Sequence, residues 1–292
     1  MSKGIQNTQA KFGTMPVFLT ALSTILGAVL FLRFGWAVGQ VGFLGVIGLV
    51  LIGHLVTIPT AMAVAEIATN QKVQGGGAYY IISRSFGINI GGAIGITLFF
   101  AQAISVAFYI IAFAEASDPV LKWLADNYQI VIPDKRFISI PSMAILSWII
   151  LKKGANSGMK VLYVVVALLF GALISFFLGK PLDNDIVFHA TQHVENNVNF
   201  FYVFTIIFPA FTGLAAGLGL SGDLKDAKTS IPKGTLWATF VGMVIYILAA
   251  IKFSYSASPE ALNADQLIMQ KIAIWGPIVP IGLAAAALSS AL

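Results

Sequence analysis

Pro209, Gly213, Gly217 and Gly219 interrupt residues 208–219 in the middle of an apolar run long enough to cross a bilayer. Hydrocarbon offers no partner for a free backbone N–H or C=O, so such a break is tolerated only where it lines a cavity. The loosened backbone there offers carbonyl oxygens to a cation and helix N-terminal amides to an anion. A softer weak point, Ser23-Thr24-Ile25-Leu26-Gly27, lies in the first apolar run. Gly27, Ala28 and Val29 are expected to open the second half of that helix, and Gly213, Leu214 and Ala215 the second half of the other. Amides in such places lack helical partners and sit at the positive end of a helix dipole, which suits an anion. The competing reading is that these glycines only permit close helix packing.

Two further spacings carry chemistry. Arg33 lies six residues beyond Gly27, and Glu115 six beyond Tyr109. At 1.5 Å per helical residue, each falls about 9 Å outside the expected ion layer. Opposite charges at matched depth in a low-dielectric setting are expected to pair, which makes these two the candidate outer gate. Ser289 and Ser290 are adjacent hydroxyls in an otherwise apolar helix, with Ala286 one turn earlier; serines within helices also commonly bond the carbonyl one turn back. His189 and His193, at i, i+4 spacing, lack a third ligand and are expected to be solvated rather than metal-binding. His54, Glu66 and Lys252 read as packing or interfacial residues without a role.

The elements that must position these residues are membrane spans. Of 292 residues, 58% are hydrophobic and 10% charged, with mean hydropathy +0.88, against roughly 25% charged in soluble domains. The absence of cysteine excludes disulfides, thiolate metal sites and thiol chemistry. Lys3 and Lys11 before an apolar run resemble a signal peptide, but the run is too long for one and no convincing cleavage site follows, so it is expected to be a retained first span.

Seven segments approach the 20 or so apolar residues a span needs: 15–38, 43–68, 91–114, 159–178, 200–220, 235–257 and 274–292. An eighth, 137–151, is shorter and carries Pro141. Residues 75–86 are too polar to span and are expected to form a short cytoplasmic helix. With a cytoplasmic N-terminus, ten Lys and Arg residues fall inside, and the outer loops collect eight Asp and Glu residues with five basic ones. This is the positive-inside pattern. The net charge of +5 is therefore sorted by membrane side rather than gathered in a nucleic-acid stripe, and no nucleic acid is expected. Weak points in spans one and six match inverted repeats whose broken helices meet at the midplane. The expectation is an all-α integral membrane protein with a leucine-transporter-type inverted-repeat bundle of about eight spans. It forms one transporter domain over 1–292, with a first repeat at about 15–178 and an incomplete second repeat at about 200–292.

Longer motifs run in order along the chain. Residues 26–39 read Leu-Gly-Ala-Val-Leu-Phe-Leu-Arg-Phe-Gly-Trp-Ala-Val-Gly; Ala68-Thr69-Asn70 precedes Gly-Gly-Gly-Ala-Tyr-Tyr-Ile-Ile-Ser-Arg-Ser at 75–85. Phe108-Tyr109 and Phe113-Ala114-Glu115 follow, then Ser221-Gly222-Asp223-Leu224-Lys225-Asp226, Ile231-Pro232-Lys233-Gly234-Thr235 and Leu288-Ser289-Ser290-Ala291-Leu292. Together these resemble the cation–chloride cotransporters, in their sodium-coupled, sodium–potassium–chloride branch, within the amino acid–polyamine–organocation superfamily.

The resemblance implies a potassium site of Thr24, Ile25, Pro209, Thr212 and Tyr109, built from carbonyls of both broken helices and two hydroxyls. Such a set suits a cation that must also leave. Thr24 stands where the family usually has asparagine, but the backbone oxygen is the ligand there. One chloride is implied at Gly27, Ala28 and Val29 and another at Gly213, Leu214 and Ala215; the family's second site also uses a tyrosine from a tenth span. Sodium is implied at Ser23, Leu26, Ala286, Ser289 and Ser290, and Arg33 with Glu115 resembles the extracellular gate. The family's last four spans and large C-terminal domain have no counterpart here, so the resemblance reads as a truncated member.

The implied activity is electroneutral symport by alternating access of sodium, potassium and two chlorides, or of sodium with one chloride, in a cell (inner) membrane. It needs no enzyme chemistry and no cofactor, and its expected partners are inorganic ions, the lipid bilayer and, as an open question, a second copy in a homodimer. An amino-acid permease of the same superfamily is the alternative, with a substrate carboxylate on the Gly27–Val29 amides. A non-transporting fragment is the third reading.

Overall fold

The computed structural model describes residues 12–70, 77–153, 158–182, 188 and 190–291. Expectations attached to Lys3, Lys11, Lys72, Gly75, Gly76, Asp183, Asp185, His189 and Leu292 fall outside these residues, as do those attached to the side chains of Lys152, Lys153, Lys160 and Ser289.

The first apolar run folds as α1 (Thr14–Ile25) and α2 (Ala28–Leu32), separated by the non-helical Leu26 and Gly27. After Arg33 the chain continues as α3 (Phe34–Asn70), which turns sharply at Gly42, where φ is +70°. Only glycine takes this conformation without strain, and a Cβ there would stand 2.8 Å from the Gln192 carbonyl oxygen. The turn falls between the first two expected spans. Next come α4 (Gly77–Phe86), α5 (Ile88–Ala116), α6 (Asp118–Tyr128), α7 (Arg136–Lys153) and α8 (Gly158–Phe177). α4 is the expected short helix and packs against α5.

The Asn199 side chain accepts the Phe201 amide at 2.8 Å and so starts α9 (Phe200–Ile207). That helix ends where expected. The chain tightens into a 3-10 turn over Phe208–Phe211, passes Thr212, and runs on as a 3-10 helix over Gly213–Asp223. An α-helical second half was expected. Eleven residues is long for a 3-10 helix, and the four glycines in Gly213–Asp223 account for the lost α-helical preference. α10 (Ala227–Ser256) is capped by the Asp226 carboxylate, and short α11 (Pro259–Ala264) and α12 (Ile268–Ile272) lead to α13 (Ile278–Ala291).

Among the described residues, five runs are long and apolar enough to cross a membrane: Thr14–Leu32, Phe34–Asn70, Ile88–Tyr128, Phe200–Asp223 and Ala227–Ser256. The expected fifth and eighth spans correspond to the shorter apolar helices Leu162–Phe177 and Ile278–Leu288. The fourth corresponds to α7, whose hydropathy is diluted by serines and terminal charges.

α3 packs along α10, and α1 wedges between α10 and the 3-10 helix. Phe31, Phe34, Phe176, Phe211, Tyr246 and Phe253 are fully buried at this junction. α5 and α7, by contrast, expose Phe99, Ile104, Ile140 and Trp148, a costly surface in water and a natural one in lipid. At one end of the bundle the Phe12 amide donates to the Asp223 carbonyl (3.1 Å) and the Lys225 amide to the Phe12 carbonyl (2.9 Å). Beneath this bridge Val17, Ala68, Leu218, Leu224 and Ile231 form a separate apolar plug. At the other end the buried Gln40 side chain accepts the Val198 amide at 2.8 Å and donates to the Asn263 side chain.

Candidate ion site at the two helix interruptions

The two interruptions meet. A Cβ added to Gly213 would lie 2.6 Å from the Ile25 amide nitrogen and 2.8 Å from the Thr24 carbonyl carbon, so only a bare backbone fits. Beside this junction is a cavity of about 270 Å³. Thr24, Ile25, Gly27, Ala28 and Val29 line one wall; Ile206, Pro209, Ala210 and Thr212 line another; Ile104, Ser105, Phe108 and Tyr109 from α5 close it. All five residues of the implied potassium set and all three of the first chloride set border this single space. Gly213, Leu214 and Ala215 are not among its lining residues; they open the 3-10 helix behind it.

The hydrogen bonds fix which atoms are left for a ligand. Thr24 Oγ1 donates to the Thr20 carbonyl at 2.9 Å, so the hydroxyl turns back along α1. The Thr24 carbonyl accepts only a long 3.3 Å contact from the Gly27 amide. Thr212 Oγ1 donates to the Pro209 carbonyl at 2.8 Å. Its proton is thereby committed, and its lone pairs are directed to other partners, the orientation a cation needs. The same Pro209 carbonyl also accepts the Thr212 amide at a long 3.3 Å, so both of its lone pairs are engaged, the second only weakly. The Leu30 amide bonds the Gly27 carbonyl (3.1 Å), which makes Ala28 and Val29 the first-turn residues whose amides α2 itself does not use.

Tyr109 lies on α5, which packs against α13, the helix that carries the implied sodium residues Ala286 and Ser290. Ser23, Leu26 and Ala286 are all buried, and α13 packs against α1 and α2 as well as α5 and α8. The Ser23 hydroxyl donates to the Thr20 carbonyl at 3.0 Å; the ligand that the resemblance implies at Ser23 is its carbonyl.

Arg33 and Glu115 are not joined. The ion pairs among the described residues are Lys135–Asp118 (2.8 Å), Arg136–Asp134 (3.8 Å) and Lys271–Asp265 (2.8 Å). Glu115 instead borders a second, polar cavity of about 670 Å³ with Asp118, Lys122, Lys135, Asp265 and Lys271. Water in so open a space solvates the carboxylate, which removes the desolvation argument for pairing. Among the remaining polar residues, His54 Nδ1 bonds the Val50 carbonyl at 2.8 Å and its ring lies 5.1 Å from that of Phe211, which is packing. Lys252 Nζ donates to the Gly179 carbonyl at 2.6 Å. His193 Nδ1 is bonded to the Val194 carbonyl.

Sequence reasoning missed Tyr246. On α10 and fully buried, it donates its hydroxyl proton to the Ile25 carbonyl at 2.8 Å. The one signal was a lone tyrosine deep in an apolar span, since a buried phenol requires a partner.

A family model described as amino acid permease matches residues 16–292. Solute carrier family 12 member 1 of Mus musculus is 38% identical over 260 residues, covering 82% of this chain and 23% of its own length. Solute carrier family 12 member 2 of Homo sapiens is 36% identical over 287 residues, covering 93% and 23%. The bumetanide-sensitive sodium-(potassium)-chloride cotransporter of Manduca sexta is 31% identical over 331 residues, covering 94% and 31%. The chain thus spans between about a quarter and a third of the length of these relatives.

Proposed function

The chain belongs to the amino acid permease family, an inverted-repeat membrane fold, and on that premise we propose that it is a secondary symporter moving chloride with sodium and potassium, electroneutrally and by alternating access. One observation carries the reading: Thr24, Ile25, Tyr109, Pro209 and Thr212 border the same small cavity as Gly27, Ala28 and Val29. Carbonyls and hydroxyls with committed protons suit a desolvated monovalent cation, and unused amides beside them suit chloride. Neither ion tolerates such a site alone, because uncompensated charge in a low-dielectric interior is costly. Together they neutralise one another.

In this reading potassium takes the oxygens of Thr24, Ile25, Tyr109, Pro209 and Thr212. One chloride takes the amides of Gly27–Val29; a second sits at Gly213, Leu214 and Ala215. Sodium takes Ser23, Leu26, Ala286, Ser289 and Ser290, beside potassium where α13 packs on α5. Arg33 and Glu115 close the outer pathway in a state other than the present one. The repeats run over about 15–178 and 200–292, the N-terminus is cytoplasmic, and the membrane is the cell membrane. The name of the Manduca sexta relative, sodium-(potassium)-chloride cotransporter, supports the choice of ions.

The family description favours a second reading, in which the cargo is an amino acid whose carboxylate takes the Ala28 and Val29 amides. The Phe108 and Tyr109 rings crowd that pocket, and no charged side chain among the described residues borders it. The chain reconstituted in vesicles decides the matter. Saturable rubidium uptake that requires chloride is expected; labelled amino-acid uptake without a chloride requirement reverses the assignment, and neither flux makes the chain a non-transporting piece.

A further inference from the structure

We infer that Tyr246 is a positioning residue for the cation site, holding the Ile25 carbonyl in register and tying the first interrupted helix to α10; the inference rests on the ion-site reading above. Ile25 ends α1, where a carbonyl has lost its helical partner. An unrestrained carbonyl at such an end would swing toward any donor. Here the Tyr246 hydroxyl takes one lone pair at 2.8 Å, which leaves the second for a ligand in the cavity that Ile25 lines. Tyr246 itself is not among the residues lining that cavity, so it acts through Ile25.

The phenol is held from three sides. Its ring meets Phe34, just past Arg33, edge-on at 4.9 Å, and Phe211 in the second interruption at 5.1 Å. Its hydroxyl reaches the first interruption. One residue of α10 therefore touches the end of α1, the start of α3 and the break in span six. One turn earlier on the same helix, Gly242 leaves room for the Ile25 side chain: a Cβ there would lie 2.6 Å from Ile25 Cγ2. Residues four apart share a helix face, so Gly242 and Tyr246 seat Ile25 by its side chain and its carbonyl together. The device sets the spacing between carbonyl oxygens, the quantity that distinguishes cations of different radius.

The test is equilibrium binding of labelled rubidium to the purified full 292-residue chain, with thermal unfolding measured in parallel. Tyr246→Phe keeps the ring contacts and removes only the hydroxyl; it is expected to weaken rubidium binding roughly three- to tenfold and to change the rubidium-to-caesium preference. Phe34→Leu, which loosens the ring and spares the hydroxyl, is expected to lower the unfolding temperature and leave that preference unchanged. If Tyr246→Phe does not fold, Gly242→Ala displaces Ile25 from its other side and is expected to shift the same preference. A folded Tyr246→Phe or Gly242→Ala chain with wild-type rubidium affinity and preference overturns the inference alone. A wild-type chain that binds no rubidium overturns the ion-site reading and the inference together.

Discussion

Gly213 lies against the backbone of Ile25 so closely that a methyl group in its place would stand 2.6 Å from the Ile25 amide nitrogen. The two interrupted segments therefore touch main chain to main chain, and the cavity beside them exists because nothing bulkier than hydrogen separates them. Gly213→Ala must push them apart. Overpacking of this kind costs about 1–3 kcal/mol, or roughly 5- to 150-fold in affinity if it falls on the bound state. Labelled rubidium binding to the variant is expected to drop within that range; unchanged binding would show that the junction does not shape the site.

Thr212 separates an oxygen requirement from a packing requirement. Its hydroxyl proton is committed to the Pro209 carbonyl, so Thr212→Ser should keep rubidium binding near wild type. Thr212→Val, of similar shape, should weaken it about tenfold, the scale of a lost polar contact to a charged partner. Equal binding by the valine and serine variants argues that the hydroxyl is not a ligand.

The bridge between Phe12 and Leu224 and the plug beneath it close one end of the bundle. Phe12→Pro removes the amide that donates to Asp223 and should open that end. The chain has no cysteine, so a single Leu218→Cys reporter can be followed without background. Its labelling by a membrane-impermeant maleimide is expected to accelerate several-fold in the Phe12→Pro background, from the side that faces Lys225. Equal rates would assign closure to other contacts.

Arg33→Ala is expected to leave ion binding within about twofold while slowing chloride-dependent rubidium flux, because Arg33 does not line the cavity and in the proposed cycle meets Glu115 only on closure. Flux at the wild-type rate in this variant removes the gate.

Asp226 supplies a pH dependence. Its carboxyl is held below the ordinary aspartate value first by the Thr229 side chain and then by the Thr229 and Lys228 amides. A depressed carboxyl stabilises the folded state above the ordinary aspartate range, and that contribution is lost as pH falls through the lowered value. Asparagine caps helices without titrating. Asp226→Asn should therefore show a smaller fall in unfolding temperature than wild type between neutral and strongly acidic pH, as followed by circular dichroism.

The places of both interruptions were legible because Gly27, Pro209 and Gly213 carry their backbone constraints in their identity, and the span limits because apolar runs end where spans do. So were the residues around the cavity, through motif order. The form of the second half of span six was not, because four glycines weaken a helix without specifying what replaces it. Arg33 and Glu115 do not pair in this structure, because equal rise along two helices says nothing of the angle between them. Tyr246 escaped notice because no motif marks a residue whose partner is a main-chain oxygen some 221 positions away in the chain.

Gln40 brings a last consequence. By clasping the Val198 amide and Asn263 at once, it rivets the roof above the first interrupted helix to the segment that launches the sixth. The upper arms of both helices are thus tied together above the Gly213–Ile25 contact. In the proposed transport cycle, a tilt of one arm is expected to carry the other with it.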